Sequence, residues 1–87
     1  MSELKKIRLP NLHPRMRGGA LLDWLKQEGE LVRRGEPLYL VETRKGVFEV
    51  TCLFDGRIER LLVAKGASVA PDQEIALIDT APQERLA

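Results

Sequence analysis

The sequence consists of two similar halves, and this internal repeat constrains the fold more strongly than any other feature. When the chain is shifted by 37 positions, residues 19–43 align with residues 56–80. The aligned segments share glycines at turn positions and other identical residues between them: Gly19 with Gly56, Leu25 with Leu62, Gly29 with Gly66, Val32 with Val69, Leu40 with Leu77 and Thr43 with Thr80. Because turn positions and apolar positions match together, the pattern indicates duplication of one structural unit.

Each half is predicted to fold into short β-strands, because glycine and proline recur roughly every six to twelve residues, as in small sandwiches and barrels. The first strand is expected at residues 20–26 and 57–63, and the last at residues 38–42 and 75–79. A helix is the alternative for LLDWLKQEGELV, whose leucines could line one helix face. Its second copy, IERLLVAKGASV, has more β-branched residues and no better helical spacing. The prediction is therefore all-β: a flattened barrel-sandwich of two four-stranded antiparallel sheets.

The two halves are expected to pack about a pseudo-two-fold axis, since neither can bury its own apolar face. Equivalent points of the halves then lie at opposite ends of the molecule. The position equivalent to Lys45 is Pro82, so Lys45 should lie far from the C-terminus. The predicted core follows the apolar positions of the strands: Ile7, Leu21, Leu25, Val32, Leu38, Leu40, Val50, Ile58, Leu62, Val69, Ile75 and Leu77.

Length and composition indicate one small domain. The 87 residues are 44% hydrophobic and 31% charged, which excludes both a disordered and a membrane-spanning chain. The N-terminal segment MSELKK lacks the apolar stretch of a secretory signal. The single cysteine, Cys52, allows no internal disulfide and fits a reducing compartment. We therefore expect a soluble cytoplasmic protein that does not associate with membranes.

Charge is unevenly distributed along the chain. Residues 1–17 have a net charge of +4, whereas the other 70 residues have a net charge of −3. A basic arm of this kind can bind nucleic acid when aromatic residues are interleaved with the basic ones. All four Trp, Tyr and Phe residues lie outside the arm, at Trp24, Tyr39, Phe48 and Phe54. We therefore expect no nucleic-acid partner.

A basic turn joins two strand-like stretches in VETRKGVFEV, residues 41–50. Thr43-Arg44-Lys45-Gly46 fits a type I turn, because glycine at the last position readily adopts the left-handed conformation that a hairpin needs there. Lys45 would then stand at the tip, where a side chain is most exposed. Most lysines on turns are ordinary solvated residues. The turn alone therefore predicts exposure and no particular function.

Three other residues have side chains of possible chemical interest, but the sequence gives each an ordinary interpretation. His13 has no second histidine, and one cysteine cannot complete a metal-ligand set, so we interpret it as a surface histidine. Cys52 lies in an apolar stretch without an evident base and is interpreted as a small buried hydrophobe. Trp24 is interpreted as a core or half-buried sheet residue. We expect no catalytic residue and no metal.

The chain from about residue 6 to residue 79 resembles the lipoyl and biotinyl attachment domains. It is most similar to the lipoyl domains of 2-oxo acid dehydrogenase acyltransferases, whose usual pattern is roughly W-x-x-x-x-G-D-x-V-x-x-G-E-x-L-x-x-V-E-T-D-K-A. The residues that match this pattern are Trp24, Gly29, Val32, Gly35, Glu36, Leu38, Val41, Glu42, Thr43 and Lys45.

The resemblance implies a function. In this family the lysine at the hairpin tip is joined by an amide to lipoic acid, which would make Lys45 the covalent attachment site. Glu42, Thr43, Arg44 and Gly46 would then form the turn that partners recognise. The expected role is a non-catalytic carrier that shuttles acyl groups between active sites of a 2-oxo acid dehydrogenase-type complex. Its expected partners are a lipoate protein ligase and the enzymes of that complex. The carrier domain is expected at residues 1–80, with 81–87 as a tail or the start of a linker.

The chain departs from the family pattern at several positions, which leaves two alternatives open. An acidic residue usually precedes the lysine and alanine often follows it, where this chain has Arg44 and Gly46. His13 stands where glycine is frequent, and Thr51-Cys52-Leu53-Phe54 replaces a segment that commonly contains proline. A biotin carrier would use the same lysine, but its usual signature has methionine on both sides. A scaffold domain that has lost its modification is the other alternative.

Overall fold

The computed structural model describes residues 3–81, which form eight β-strands and contain no helix. No segment of this region therefore qualifies as a membrane-spanning helix. The all-β prediction is confirmed, and the helix considered for residues 21–32 does not form. The strands are β1 (Leu4–Arg8), β2 (Gly19–Trp24), β3 (Leu31–Val32), β4 (Pro37–Thr43), β5 (Gly46–Thr51), β6 (Gly56–Leu61), β7 (Ser68–Val69) and β8 (Glu74–Asp79).

The strands form two four-stranded antiparallel sheets with equivalent topologies. The strand orders are β1-β8-β6-β3 and β5-β4-β2-β7. Each half of the repeat therefore contributes its short strand, β3 or β7, to the sheet of the other half. β1 occupies beside β8 the place that β5 occupies beside β4. The N–H of Thr80 donates to the carbonyl oxygen of Glu3 at 2.9 Å. This bond closes the β8–β1 pair at the position that is equivalent to the turn of the β4–β5 pair. The predicted two-sheet repeat is confirmed.

The core lies between the sheets and contains seven of the predicted residues: Ile7, Leu21, Val32, Leu38, Ile58, Val69 and Ile75. Val50 is half-buried and packs against this core. The core also contains Cys52, as its interpretation as a buried hydrophobe implies, and residues that the sequence analysis did not select: Leu9, Met16, Tyr39, Val41, Val63, Ala76 and Ile78. The Tyr39 ring meets the Trp24 ring edge-on at 5.4 Å, and burial raises the pKa of the Tyr39 hydroxyl.

The prediction of a core position is wrong for four residues, and β-bulges explain these errors. Leu25 and Leu62 are 39% and 41% exposed, because the register of β2 shifts after Leu21 and that of β6 shifts at the equivalent position. Each shift adds one residue, so the alternation of inward and outward side chains reverses beyond it. Trp24 rather than Leu25 therefore faces the core.

The same effect moves Leu40 and Leu77 to the outer faces of the sheets, where both are half-buried. Register shifts near the starts of β4 and β8 reverse the alternation there. In β4 the fully buried neighbours Tyr39 and Val41 point inward, and Leu40 between them points outward. The repeat reproduces the error in both halves.

β2 connects the two ends of the sandwich. Its first residues pair with β4 near Glu42, beside the turn that contains Lys45. The chain beyond its other end reaches Gly29, whose N–H donates to a carbonyl of β6 at 2.7 Å. At that end β6 pairs with the last residues of β8, which lead to Thr80. Lys45 and Thr80 therefore lie at opposite ends, as the repeat predicts, although Pro82 itself lies outside the described residues.

Candidate functional site

The β4–β5 hairpin ends in a tight turn with Arg44 and Lys45 at its tip. Thr43 pairs with Gly46, the last residues of the ladder. Gly46 has a φ of +134°, a conformation that L-residues rarely adopt, whereas neither Arg44 nor Lys45 has a positive φ. The backbone N–H of Lys45 donates to Thr43 Oγ1 at 3.1 Å. These features confirm a tight turn with two residues at its tip, and the hydrogen bond anchors the backbone of Lys45.

His13 supports this turn from a second loop. Its Nε2 lies 3.0 Å from Thr43 Oγ1, and its ring stacks on Phe48 with the centroids 5.8 Å apart. Its Nδ1 lies 3.1 Å from the carbonyl oxygen of Pro14, which can only accept. A hydrogen bond to that oxygen requires the proton on Nδ1, and Nε2 of the neutral ring can then accept from the Thr43 hydroxyl, which also has the Gly46 carbonyl oxygen within reach at 3.5 Å. His13 is half-buried and fixes the tip, whereas the sequence analysis treated it as a surface histidine.

The Lys45 side chain is exposed, and no carboxylate among residues 3–81 forms an ion pair with it. Glu42 and Glu49 are the acids nearest to it in sequence, and they pair with Val47 and Leu40 along the hairpin strands. Within residues 3–81 neither forms an ion pair with Lys45. Other lysines are held, since Lys26 has two glutamate partners. The amine of Lys45 is therefore accessible and free to move.

A cleft runs between the hairpin tip and the loop that follows β1. It is lined by His13, Pro14, Arg15, Arg44 and Lys45. The loop closes with a turn in which the N–H of Met16 donates to the His13 carbonyl at 3.3 Å. Arg15, at the third position of this turn, has a φ of +60°. Sheet packing brings Arg15 next to Arg44, which the sequence analysis did not foresee.

The turn residues that the sequence analysis selected lie together, but not in the same orientation. Thr43 and Gly46 hold the turn, while Arg44 and Lys45 project from it. Glu42 is exposed on the strand below and pairs with Val47, and it does not line the cleft. The chemistry available at the tip is therefore that of a primary amine that lines one cleft with two arginine side chains.

The described part of the chain supports neither a metal site nor a reactive thiol. No three His, Cys, Asp or Glu side chains converge to form a metal site there. Cys52 is 1% exposed and its Sγ lies 3.2 Å from the carbonyl oxygen of Phe54. Burial raises the pKa of this thiol, which opposes formation of a nucleophilic thiolate. Its interpretation as a buried hydrophobe agrees with the structure.

The sequence matches one protein family over most of its length. The sequence profile of this family, described as "Biotin-requiring enzyme", matches residues 5–78. The chain belongs to the biotin/lipoyl attachment family. Members of this family carry a covalently bound lipoyl or biotinyl group, and an exposed lysine at a fixed hairpin tip fits such a linkage. The recognition made from the sequence is therefore confirmed at the level of the family.

Several curated relatives are components of pyruvate or 2-oxoglutarate dehydrogenase complexes. A dihydrolipoyllysine-residue acetyltransferase component of the mitochondrial pyruvate dehydrogenase complex of Arabidopsis thaliana is 34% identical over 92% of this chain. A probable dihydrolipoyllysine-residue succinyltransferase component of the 2-oxoglutarate dehydrogenase complex of Schizosaccharomyces pombe is 40% identical over 91% of it. The chain spans 15% and 18% of these two relatives, respectively.

Two solved structures share the fold of this chain. The lipoyl domain of the 2-oxoglutarate dehydrogenase complex from Azotobacter vinelandii superposes with a TM-score of 0.69 and 29% identity, covering 84% of this chain and 92% of that domain. A multi-domain long-chain acyl-CoA carboxylase superposes with a TM-score of 0.75 over 95% of this chain and 8% of its own. Its 18% identity supports the fold alone.

Proposed function

We propose that this domain is a lipoyl carrier and that Lys45 is its attachment residue. The observation that carries the proposal is an unrestrained lysine amine at the tip of a fixed hairpin turn. The relatives at 34% and 40% identity are named for a dihydrolipoyllysine residue, which favours lipoate over biotin. The domain itself is proposed to be non-catalytic, acting in the cytoplasm with a lipoate ligase and the enzymes of a 2-oxo acid dehydrogenase complex.

The residues of the tip have distinct roles in this function. The Nζ of Lys45 forms the amide bond, so its charge is lost when the cofactor is attached. Thr43 and Gly46 fix the turn, which keeps the attachment point away from the body of the sandwich. When bound, the lipoyl group supplies the sulfur chemistry that carries acyl groups. Tethering raises the local concentration of the carried group at each enzyme that the arm can reach.

Intact-mass spectrometry of protein purified from its native host tests this proposal. The wild type is expected to gain the mass of one lipoyl group. The Lys45→Arg variant should gain none, because arginine has no amine that can form this amide. Lys65→Arg is the matched control, since Lys65 is also an exposed lysine beside a turn glycine and pairs with Asp23 at 3.7 Å. Lys65→Arg should be modified like the wild type.

Three results would contradict the proposal. Lipoyl mass on Lys45→Arg would show that the attachment residue is wrong. A biotinyl mass on the wild type would identify a biotin carrier, the second function open to this family. Absence of both modifications from the wild type and from Arg44→Asp would favour an unmodified scaffold domain.

Arg44 is expected to affect recognition by the ligase rather than the chemistry of the amine. It is exposed, so solvent and salt screen its effect on the neighbouring amine. Arg44→Asp is expected to increase lipoylation by a ligase whose usual substrates have an acidic residue before the lysine, because it restores that charge pattern. The rate of lipoylation in vitro measures this effect, and thermal unfolding shows whether the fold is unchanged.

A further inference from the structure

We propose that the cleft between Arg15 and Arg44 binds carboxylate groups of an acidic segment of a partner protein. The cleft borders Lys45, and so the inference rests on the proposed function in one respect, namely that partners approach this tip. It goes further by assigning the charge of the partner surface. It also adds Arg15, which lies outside the family's turn pattern, to the recognition site.

The cleft has an uncompensated positive charge. Its lining contains three basic side chains and no carboxylate. In the described part of the chain, neither Arg15 nor Arg44 forms an ion pair. The adjacent pair Arg33 and Arg34 differs, because the carboxylates of Glu36 and Asp55 accept hydrogen bonds from their backbone N–H groups at 2.8 Å. An anion that enters the cleft therefore meets basic side chains with no competing carboxylate among the lining residues.

The two loops that carry Arg15 and Arg44 are tied together by direct contacts. His13 contacts Thr43 at 3.0 Å and stacks on Phe48, which ties the first loop to the hairpin. Arg15 has a left-handed backbone, which is unfavourable for a residue with a Cβ atom and would suit glycine. Strained positions of this kind concentrate at functional sites. Because the two loops are already anchored to each other, less backbone entropy is lost when a ligand binds between them.

The chemistry of the cleft favours protein carboxylates over nucleic acid. Guanidinium groups donate two parallel hydrogen bonds to a carboxylate and keep their charge after Lys45 has been acylated. The same surface can therefore address unmodified and modified domains. Single-stranded nucleic acid would need exposed aromatic rings for stacking. Phe48 is half-buried beneath His13, and the Trp24 indole N–H donates to the Val63 carbonyl at 2.8 Å, so neither ring is available at the cleft.

An NMR titration of the ¹⁵N-labelled unmodified domain with a hexaglutamate peptide tests the inference. Saturable shifts are expected for the backbone amides of residues 13, 15 and 43–46, and they should weaken when salt is added. Arg15→Gln and Arg44→Gln should each weaken binding about two- to fivefold, as for exposed ion pairs, and the double variant should weaken it further. Arg33→Gln with Arg34→Gln is the matched control and should bind like the wild type.

Arg15→Gly provides a second variant that is expected to keep the fold, because glycine accepts the observed backbone conformation. It should melt no lower than the wild type and still bind hexaglutamate more weakly. The inference is overturned if the double variant binds as tightly as the wild type. It is also overturned if the shifts map to residues 33 and 34, or if an oligothymidylate of equal charge binds more tightly than the peptide.

This experiment separates the inference from the proposed function. The titration uses unmodified protein and does not depend on the cofactor. A domain that binds hexaglutamate at the cleft but never carries a lipoyl group would overturn the proposed function and support the acidic-partner site. A lipoylated domain that does not bind the peptide would overturn the inference and support the carrier function.

Discussion

Replacing Gly19 by alanine tests how closely the strands approach beside the functional turn. Gly19 is the first residue of β2, and a Cβ atom there would collide with the carbonyl oxygen of Glu42 and crowd the side chains of Val41 and Thr43. Gly56, its equivalent in the repeat, has the same relation to the carbonyl oxygen of Asp79. The two substitutions therefore make the same steric change at opposite ends of the molecule.

The expected loss of stability follows from these contacts. A methyl group forced against a backbone carbonyl cannot be relieved by rotating a side chain, and overpacking of this kind costs about 1–3 kcal/mol. Neither glycine has a positive φ, so alanine adds no backbone strain and recovers about 0.5–1 kcal/mol by restricting the unfolded chain. The net loss should be about 1 kcal/mol at the centre of these ranges and at most about 2.5 kcal/mol for each variant. In a domain of this size each kcal/mol lowers the Tm by about 4–8 °C.

Urea denaturation and thermal unfolding followed by circular dichroism measure these losses, and ligase-catalysed lipoylation measures the effect on the turn. Both variants should be destabilised to a similar extent. Gly19→Ala should also slow modification, because it displaces Glu42, the residue before Thr43. Gly56→Ala should not, since its clash lies at the other end. Wild-type stability of Gly19→Ala, or equally slow modification of both variants, would refute this account of strand packing.

Three further predictions concern the body of the domain. Leu21→Ala should lower the free energy of unfolding by about 2–5 kcal/mol in urea denaturation, whereas Leu25→Ala, at an outward position, should cost about 1 kcal/mol or less; equal losses would contradict the bulge in β2. The backbone N–H of Arg33 donates to Glu36 and lowers the pKa of that carboxyl below its usual 4.5, so its contribution to stability is present above pH 4.5 and is lost as the pH falls through the folded value. Glu36→Gln should therefore flatten the acid side of a Tm-against-pH profile, and an unchanged profile would show that this bond does not contribute. Cys52 should react with iodoacetamide only in denaturant, as followed by mass spectrometry, because burial raises the pKa of its thiol; rapid alkylation of the native protein would contradict its buried position.

The two sheets could be predicted from the sequence because the repeat extends over whole segments and does not depend on single residues. Glycine and apolar positions that recur after 37 residues fix the number of strands and their symmetry, whatever the details of each strand. The bulges were not predictable from the same pattern, since an added residue in β2 or β4 leaves no marker in the local sequence. Leu25 and Leu40 were therefore assigned to the wrong face, and the repeat carried the same errors to Leu62 and Leu77.

The candidate site was predictable where it is local and not where it depends on tertiary structure. The turn around Lys45 follows from four consecutive residues, and the family resemblance directed attention to its lysine. The roles of His13 and Arg15 depend on a loop about thirty residues away in the chain, which only the packing of the sheets brings to the hairpin tip. No local sequence pattern reports such an approach.

The bond between Thr80 and Glu3 has a consequence for engineering. It closes the β8–β1 pair at the same relative position as the turn that closes β4–β5, but at the other end of the sandwich. A short peptide from residue 81 back to residue 3 would therefore complete a second hairpin, and the chain could be opened between Arg44 and Lys45 without a change in strand order. In such a circular permutant the chain termini would lie at the end of the sandwich that now contains the Lys45 turn, and the new hairpin turn would lie at the opposite end. A form with a lysine turn at each end could carry two cofactor arms pointing in opposite directions.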